Sequence, residues 1–169
     1  VYMSPLVYEN RVFVGMSPHF AALEASTGAP VWVREDMGKT DWIGSYPSPA
    51  ALGRYLIVAF HGQPTNLWVL EAETGKTIWN NDEDKAFRVN ATPVIGPDGT
   101  IFTVSGSTHV RASDLETGSV KWEVQLKNTR CGSSPVLAGS SLFVPTGDGM
   151  LYALDVVDGQ TIWTWESQD

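Results

Sequence analysis

The sequence is poor in cysteine, in basic residues and in long apolar segments, and each scarcity excludes a class of protein. The single cysteine, Cys131, excludes an internal disulfide and an all-cysteine metal site. Eleven Lys and Arg against nineteen Asp and Glu leave a net charge of −8. This balance argues against nucleic-acid binding, because phosphate contacts require clustered cations. No apolar run approaches the roughly 18 residues of a membrane-spanning helix.

Tryptophan, glycine and proline are abundant instead. The 169 residues include 7 Trp, 16 Gly and 10 Pro. Gly and Pro mark frequent turns, and no segment shows a sustained i, i+3, i+4 apolar pattern. The composition therefore predicts a β protein of short strands with almost no helix.

One motif occurs four times along the chain, with an acidic residue four positions before a glycine and a tryptophan four positions after it. The four copies are Glu24, Gly28 and Trp32; Glu71, Gly75 and Trp79; Asp114, Gly118 and Trp122; and Asp155, Gly159 and Trp163. A Ser-Pro or Thr-Pro pair precedes each copy, at Pro5, Pro49, Pro93 and Pro135. The repeat unit of about 43 residues predicts four β-propeller blades of four strands each, at approximately 1–36, 37–83, 84–126 and 127–169.

Each repeated residue type has a structural role in this interpretation. The glycines supply the positive φ of a tight turn before the fourth strand. The acids accept hydrogen bonds from backbone N–H groups in that turn. The tryptophans lie flat between neighbouring blades. The competing interpretation, a ring of carboxylates for catalysis or metal binding, is disfavoured because the turns lie at the outer part of each blade.

The motif A-x-D-x-x-T-G-x-x-x-W resembles the PQQ-like repeat, or tryptophan-docking motif, of the quinoprotein β-propeller superfamily. The segment Gly147–Asp155 and the Ser-Pro openings match it as well, over about residues 4–165. The resemblance implies the fold more firmly than the function. The superfamily contains PQQ-dependent alcohol and sugar dehydrogenases as well as a scaffold lipoprotein without a cofactor. The resemblance favours a location in the periplasm, elsewhere outside the cytoplasm, or in the lumen of an organelle.

The dehydrogenases of this superfamily have eight blades, PQQ with calcium, and often a vicinal cysteine pair over the cofactor. One cysteine cannot form that pair, and no catalytic residue can be transferred to this chain. We expect no cofactor, with PQQ and calcium as the alternative. We expect half of an eight-bladed ring, whose two apolar end faces are covered by a second copy, by further residues or by another protein. A closed four-bladed ring is the alternative.

The connections between blades supply the candidate contact residues. The loop 33–47 contains Trp42 and Tyr46, and Trp42 is either an interface residue or folded back on its own blade. The loop 80–91 contains Asp82 and Asp84, which we interpret as a solvated acidic turn rather than a calcium site.

The remaining reactive side chains are not expected to form a site. His19, His61 and His109 are the only histidines, and a metal shared between them is disfavoured because they belong to different repeats. Cys131 is interpreted as a small buried or half-buried residue rather than a nucleophile.

The sequence thus predicts a non-catalytic propeller scaffold that mediates protein–protein interaction or complex assembly. The first alternative is a fragment or relative of a PQQ-dependent dehydrogenase. The second is a module that binds carbohydrate or another small ligand.

Overall fold

The computed structural model describes residues 3–16, 19–37, 47–60, 66–84, 87–127 and 133–167. These residues contain sixteen strands and no helix, and hence no helix that could span a membrane. The fold class is all-β, of the propeller type, as the repeat predicts. The chain divides into two compact units, Val1–Arg88 and Val89–Asp169, which are described separately.

Each unit contains two four-stranded antiparallel meander sheets, and each sheet falls within one predicted blade. The first unit consists of β1 (Leu6–Tyr8), β2 (Arg11–Met16), β3 (His19–Glu24) and β4 (Pro30–Arg34), followed by β5 (Ala50–Leu52), β6 (Tyr55–Ala59), β7 (Leu67–Glu71) and β8 (Thr77–Asn80). The second unit consists of β9 (Val94–Ile95), β10 (Thr100–Val104), β11 (His109–Asp114) and β12 (Val120–Gln125), followed by β13 (Val136–Ala138), β14 (Ser141–Pro145), β15 (Met150–Asp155) and β16 (Thr161–Glu166).

The third and fourth strands of every sheet are joined by the Thr-Gly turn or its Asp-Gly equivalent. The four turn glycines, Gly28, Gly75, Gly118 and Gly159, have φ between 71° and 76°. This left-handed conformation is strained for residues with a Cβ atom, which explains why glycine occupies the position in every repeat.

A bulge follows each turn at the same repeat position. Trp32 pairs with Ala22, and the register shifts between Ala22 and Leu23. The other three sheets shift their register at the equivalent point, beside Trp79, Trp122 and Trp163. A β-bulge bends the strand and changes the direction of its side chains. The bulge in each repeat therefore determines the direction in which the tryptophan side chain points from its sheet.

The sheets have two apolar faces of different composition. Phe13, Ala22 and Trp32 pair across the first sheet and share what we call its tryptophan face. The equivalent residues are Phe102, Ala112 and Trp122 in the third sheet and Phe143, Ala153 and Trp163 in the fourth. The opposite face, called the aliphatic face, presents Leu56, Val58 and Leu70 in the second sheet and Leu142, Val144 and Leu154 in the fourth.

The core of each unit forms where a tryptophan face meets the aliphatic face of the following sheet. In the first unit Phe13 and Ala22 cluster with Leu56, Val58 and Leu70, all fully buried. In the second unit Phe102 and Ala112 cluster in the same way with residues of the fourth sheet. Burial of these side chains supplies the main favourable term for joining one sheet to the next.

A buried asparagine fixes the segment that leaves the second sheet. Asn81 Oδ1 accepts hydrogen bonds from the backbone N–H groups of Asn66 and Leu67, both at 3.0 Å. Its Nδ2 donates to the carbonyl oxygen of Phe87 at 3.0 Å. One side chain therefore satisfies two backbone groups at the start of β7 and one in the segment after β8.

Replacing Asn81 with alanine should lower the free energy of unfolding by about 2–4 kcal/mol, because buried backbone groups would lose their partners. The measurement is urea denaturation followed by circular dichroism. The control is Glu83→Ala, at an exposed position of the same turn, which should change stability by less than about 0.5 kcal/mol. Equal stability of the two variants would contradict the role given to Asn81.

Candidate interaction surfaces

The contact between sheets in the first unit is an indole ring seated on a glycine. A Cβ atom added to Gly75 would lie 2.7 Å from Cδ2 and 2.8 Å from Cε3 of Trp32, so the ring occupies the space that only glycine leaves open. The indole Nε1 donates to the carbonyl oxygen of Ala72 at 3.0 Å. Trp32 thus joins the next sheet both by close packing and by a hydrogen bond to its turn.

The second unit repeats this contact. A Cβ atom added to Gly159 would lie 2.7 Å from Cε3 of Trp122, whose Nε1 donates to the carbonyl oxygen of Val156 at 2.9 Å. Phe102, in the same sheet, packs against the ring of Trp122 at a centroid distance of 5.8 Å and an interplanar angle of 43°. The predicted position of Trp32 and Trp122 between neighbouring sheets is therefore observed.

The tryptophan of the fourth repeat, Trp163, is more exposed than those of the docked contacts. Trp163 remains 45% exposed, although Phe143 supports it at 5.6 Å and 45°, as Phe102 supports Trp122. The turn between β3 and β4 shows the opposite case, a repeat glycine that is not covered by an indole ring. A Cβ atom added to Gly28 would meet no atom of the described residues within 4 Å, and residues 25–30 are exposed. Trp163 therefore has the same register and the same phenylalanine support as Trp122.

Arg34 strengthens the first contact. Its Nη1 donates to the carbonyl oxygen of Gly75 at 2.6 Å and to Thr77 Oγ1 at 3.2 Å. Its Nε and Nη2 bind both carboxylate oxygens of Asp36, at 2.7 and 2.6 Å, and this pairing lowers the pKa of Asp36. The guanidinium also lies 5.7 Å from the ring of Trp68. Sequence reasoning missed Arg34 and gave Trp68 no role, because the two lie in different repeats.

The acidic repeat residues use their carboxylates in two ways. Asp114 Oδ1 accepts from the backbone N–H groups of Glu116 and Thr117, at 3.1 and 2.8 Å. Asp155 Oδ1 accepts from the backbone N–H of Val157 at 2.8 Å. These are the turn contacts that the sequence predicts.

The carboxylates of the two repeat glutamates contact side chains. Glu24 pairs with Arg11 at 2.5 Å and accepts from Asn10 Nδ2 at 3.0 Å. Glu71 accepts a hydrogen bond from the hydroxyl of Thr74. The extra methylene of glutamate carries its carboxylate beyond the adjacent N–H groups, so these residues bind side chains instead.

The candidate loop residues are only partly described. Trp42 and Tyr46 lie outside the described residues. Asp82 is exposed, and its backbone N–H donates to Asn80 Oδ1 at 3.0 Å. Asp84 is half-buried, and its backbone N–H donates to the carbonyl oxygen of Asn81 at 3.0 Å. These bonds close a turn after β8.

The histidines and acids of the described ranges form no group of three or more that could hold a metal ion. His19 Nε2 lies 3.6 Å from a carboxylate oxygen of Glu35. His109 Nδ1 lies 3.2 Å from the hydroxyl of Ser107. His61 and Cys131 lie outside the described residues.

Each unit also has a groove lined by residues of both of its sheets. The groove of the first unit, about 370 Å³, is lined by residues that include Tyr8, Arg11, Arg54 and Glu73. The groove of the second unit, about 330 Å³, includes Asp98 and Lys121 among its lining residues. The charged lining carries both signs. In the second groove the hydroxyl of Thr100 donates to Asp98 Oδ2 at 2.7 Å and accepts from Lys121 Nζ at 2.6 Å.

The docking contact predicts a difference between two glycines of the same conformation. Gly28→Ala should cost about 1–2 kcal/mol, the penalty of a left-handed backbone for alanine. Gly75→Ala should cost about 1–3 kcal/mol more, because its Cβ atom collides with the Trp32 ring. Urea denaturation of both variants measures the difference, and equal losses would show that the ring does not restrict this position.

The turn carboxylate of Asp114 predicts a pH-dependent contribution to stability. Hydrogen bonds from Thr117 hold the pKa of Asp114 below its usual value of 3.8. The ionised group therefore stabilises the fold above the pKa of the unfolded chain, and this stabilisation is lost as the pH falls through the lower pKa of the folded state. Asp114→Ala should cost about 1 kcal/mol at pH 7 and less near pH 3, by denaturant titration. Asp114→Asn, which keeps the acceptor oxygen, is the control. A cost that is the same at both pH values would contradict the assignment.

Comparison with known proteins identifies the same fold and a family. The family model described as outer membrane protein assembly factor BamB matches residues 1–82 and 66–169. A BamB of Moranella endobia is 27% identical over 173 residues, covering 95% of this chain and 43% of that protein.

Two solved structures share the fold at lower identity. The crystal structure of BamB from Moraxella catarrhalis has a TM-score of 0.77 and 23% identity, covering 98% of this chain and 50% of that one. Quinohemoprotein alcohol dehydrogenase from Comamonas testosteroni has a TM-score of 0.79 and 16% identity, over 98% of this chain and 35% of that one. The chain thus spans about half the length, or less, of these relatives. Because the family model matches along the whole sequence, the chain belongs to the family of the outer membrane protein assembly factor BamB.

Proposed function

We propose that this chain is a non-catalytic β-propeller scaffold that mediates protein–protein contacts in the assembly of outer membrane proteins. The observation that carries the proposal is the match of the assembly-factor family model along the whole chain. The proposed location is extracytoplasmic, where a factor acting on outer membrane proteins would meet its partners.

The use of the repeat residues is consistent with a scaffold. Trp32 and Trp122 pack between sheets, and Asp114 and Asp155 bind backbone groups of their own turns. These residues build the framework, which leaves the connections between blades for partner contacts. The proposed contact residues are Trp42, Tyr46, Asp82 and Asp84.

The enzymatic alternative requires a site for PQQ and calcium. Within the described ranges no three His, Cys, Asp or Glu side chains converge in a way that could hold a metal ion. The single cysteine also rules out the vicinal cysteine pair common in the dehydrogenases that the repeat resembles. These two observations support the scaffold over the enzyme in this proposal, and the similarity to a dehydrogenase at 16% identity concerns the fold alone.

A cofactor-binding assay distinguishes the scaffold hypothesis from the enzyme hypothesis. The purified chain, mixed with PQQ and calcium and then passed through a desalting column, should emerge without the absorbance of the quinone. Retention of one PQQ per chain would contradict the scaffold proposal. A PQQ-dependent alcohol dehydrogenase treated in parallel is the positive control.

Assembly activity can be tested in the native host. Deleting the gene should reduce the amount of folded outer membrane proteins, measured by their heat-dependent gel mobility, and expression of the complete wild-type gene should restore it. A gene carrying Trp42→Ala and Tyr46→Ala should restore less than one carrying the control Gln160→Ala, at an exposed position in the turn between β15 and β16. Unchanged outer membrane proteins in the deletion strain would refute a role in their assembly.

A further inference from the structure

The groove of the second unit has two walls of different chemistry. The fourth sheet contributes an apolar wall formed by Leu137, Val156 and Val157. The third sheet contributes a polar wall that carries Asp98 and Lys121. We propose that this groove binds an extended, uncharged peptide segment, with an apolar side chain on the apolar wall and a backbone amide group on the polar wall.

The polar wall is an ordered cluster of three side chains. The hydroxyl of the buried Thr100 accepts from Lys121 Nζ at 2.6 Å and donates to Asp98 Oδ2 at 2.7 Å. The backbone N–H of Thr100 donates to Asp98 Oδ1 at 3.1 Å. These hydrogen bonds from Thr100 hold the pKa of Asp98 below its usual value of 3.8, so the carboxylate is ionised at neutral pH. One buried threonine therefore positions a cation and an anion beside the groove.

The opposite charges of the polar wall favour a ligand without net charge. Lys121 Nζ lies 3.8 Å from Asp98 Oδ2, so each group repels a ligand ion that the other attracts. An ammonium group has three N–H donors and a carboxylate has about four acceptor positions, so both retain hydrogen-bonding capacity. A peptide group matches both, because its carbonyl oxygen would accept from Lys121 and its N–H would donate to Asp98.

The apolar wall is accessible to a ligand. Val157 is 80% exposed, whereas Leu137 and Val156 are partly buried against the core of the unit. Phe102, which is almost fully buried, lines the groove as well. A volume of about 330 Å³, with apolar side chains and a few converging polar groups, is typical of a small-ligand site.

The groove of the first unit occupies the same place in the repeat and has a different lining. Phe13 lines the first groove and Phe102 the second, and each packs against the docked tryptophan of its sheet. Two positions before the turn glycine, the first groove has Glu73 and the second has Val157. The exposed valine is therefore a feature of the second groove and not of the repeat.

Two variants each alter one wall. Val157→Glu places on the apolar wall the side chain that the second sheet carries at the same position, so the turn should tolerate it. Lys121→Met keeps the length of the side chain and removes its N–H donors. The matched control is Val136→Glu, a residue 60% exposed that points to the opposite face of β13 from Leu137.

The probe is an acetylated and amidated tetrapeptide with two central leucines between serines, titrated into the ¹⁵N-labelled chain and followed by NMR. The backbone amide signals of Lys121 and Val157 should shift saturably, and that of Glu73 should not. Val157→Glu and Lys121→Met should each bind the peptide at least about 10-fold more weakly, because one loses apolar contact and the other a hydrogen bond from a charged group. Val136→Glu should bind as the wild type does, and circular dichroism verifies that each variant is folded.

Two further ligands test the chemistry of the occupant. The same peptide with serine in place of both leucines should not shift these signals, and octanoate should bind more weakly than the leucine peptide. Tighter binding of octanoate would overturn the proposal in favour of an anionic amphiphile. Absence of saturable shifts with the leucine peptide, or unchanged affinity in either Val157→Glu or Lys121→Met, would also overturn it.

This site is additional to the proposed scaffold function and does not include its four proposed contact residues. Peptide binding is measured on the purified chain, whereas outer membrane protein assembly is measured in the host. A chain that binds the peptide but has no effect on assembly would refute the scaffold function alone, and the reverse result would refute the peptide site alone.

Discussion

The structure depends on one repeated contact, an indole ring packed against a glycine whose backbone no other residue adopts without strain. The contact has two requirements that reinforce each other. The turn needs glycine for its positive φ, and the ring of Trp32 or Trp122 needs the space that the absent Cβ atom leaves at Gly75 or Gly159. The indole N–H then finds a carbonyl oxygen of the same turn. Packing and hydrogen bonding therefore act at one point, and the bulge beside each tryptophan directs the ring towards it.

Much of this arrangement follows from the sequence, because the contact is local in the repeat register. The interval between Gly and Trp specifies a turn, a bulge and the direction of the ring, and the structure has all three in every sheet. The different partners of Glu24 and Asp114 reflect one methylene of side-chain length, which the repeat pattern does not encode. Arg34 and Trp68 were missed because their stacking depends on how two sheets pack, which neither repeat determines by itself.

The exposed state of Trp163 shows the boundary of such reasoning. The same motif gives the same orientation on Phe143, yet burial of the ring requires a surface that the described part of this chain does not place against it.

The most direct measurement of the docking contact is hydrogen exchange at the indole nitrogens, observed by ¹⁵N NMR of the seven tryptophans at low protein concentration. The indole N–H groups of Trp32 and Trp122 should exchange slowly, because each is held by a carbonyl oxygen of the following sheet. Those of the exposed Trp163 and Trp165 should exchange rapidly under the same conditions. Exchange of Trp32 and Trp122 as fast as that of Trp165 would contradict the claim that docked indole rings hold the sheets together.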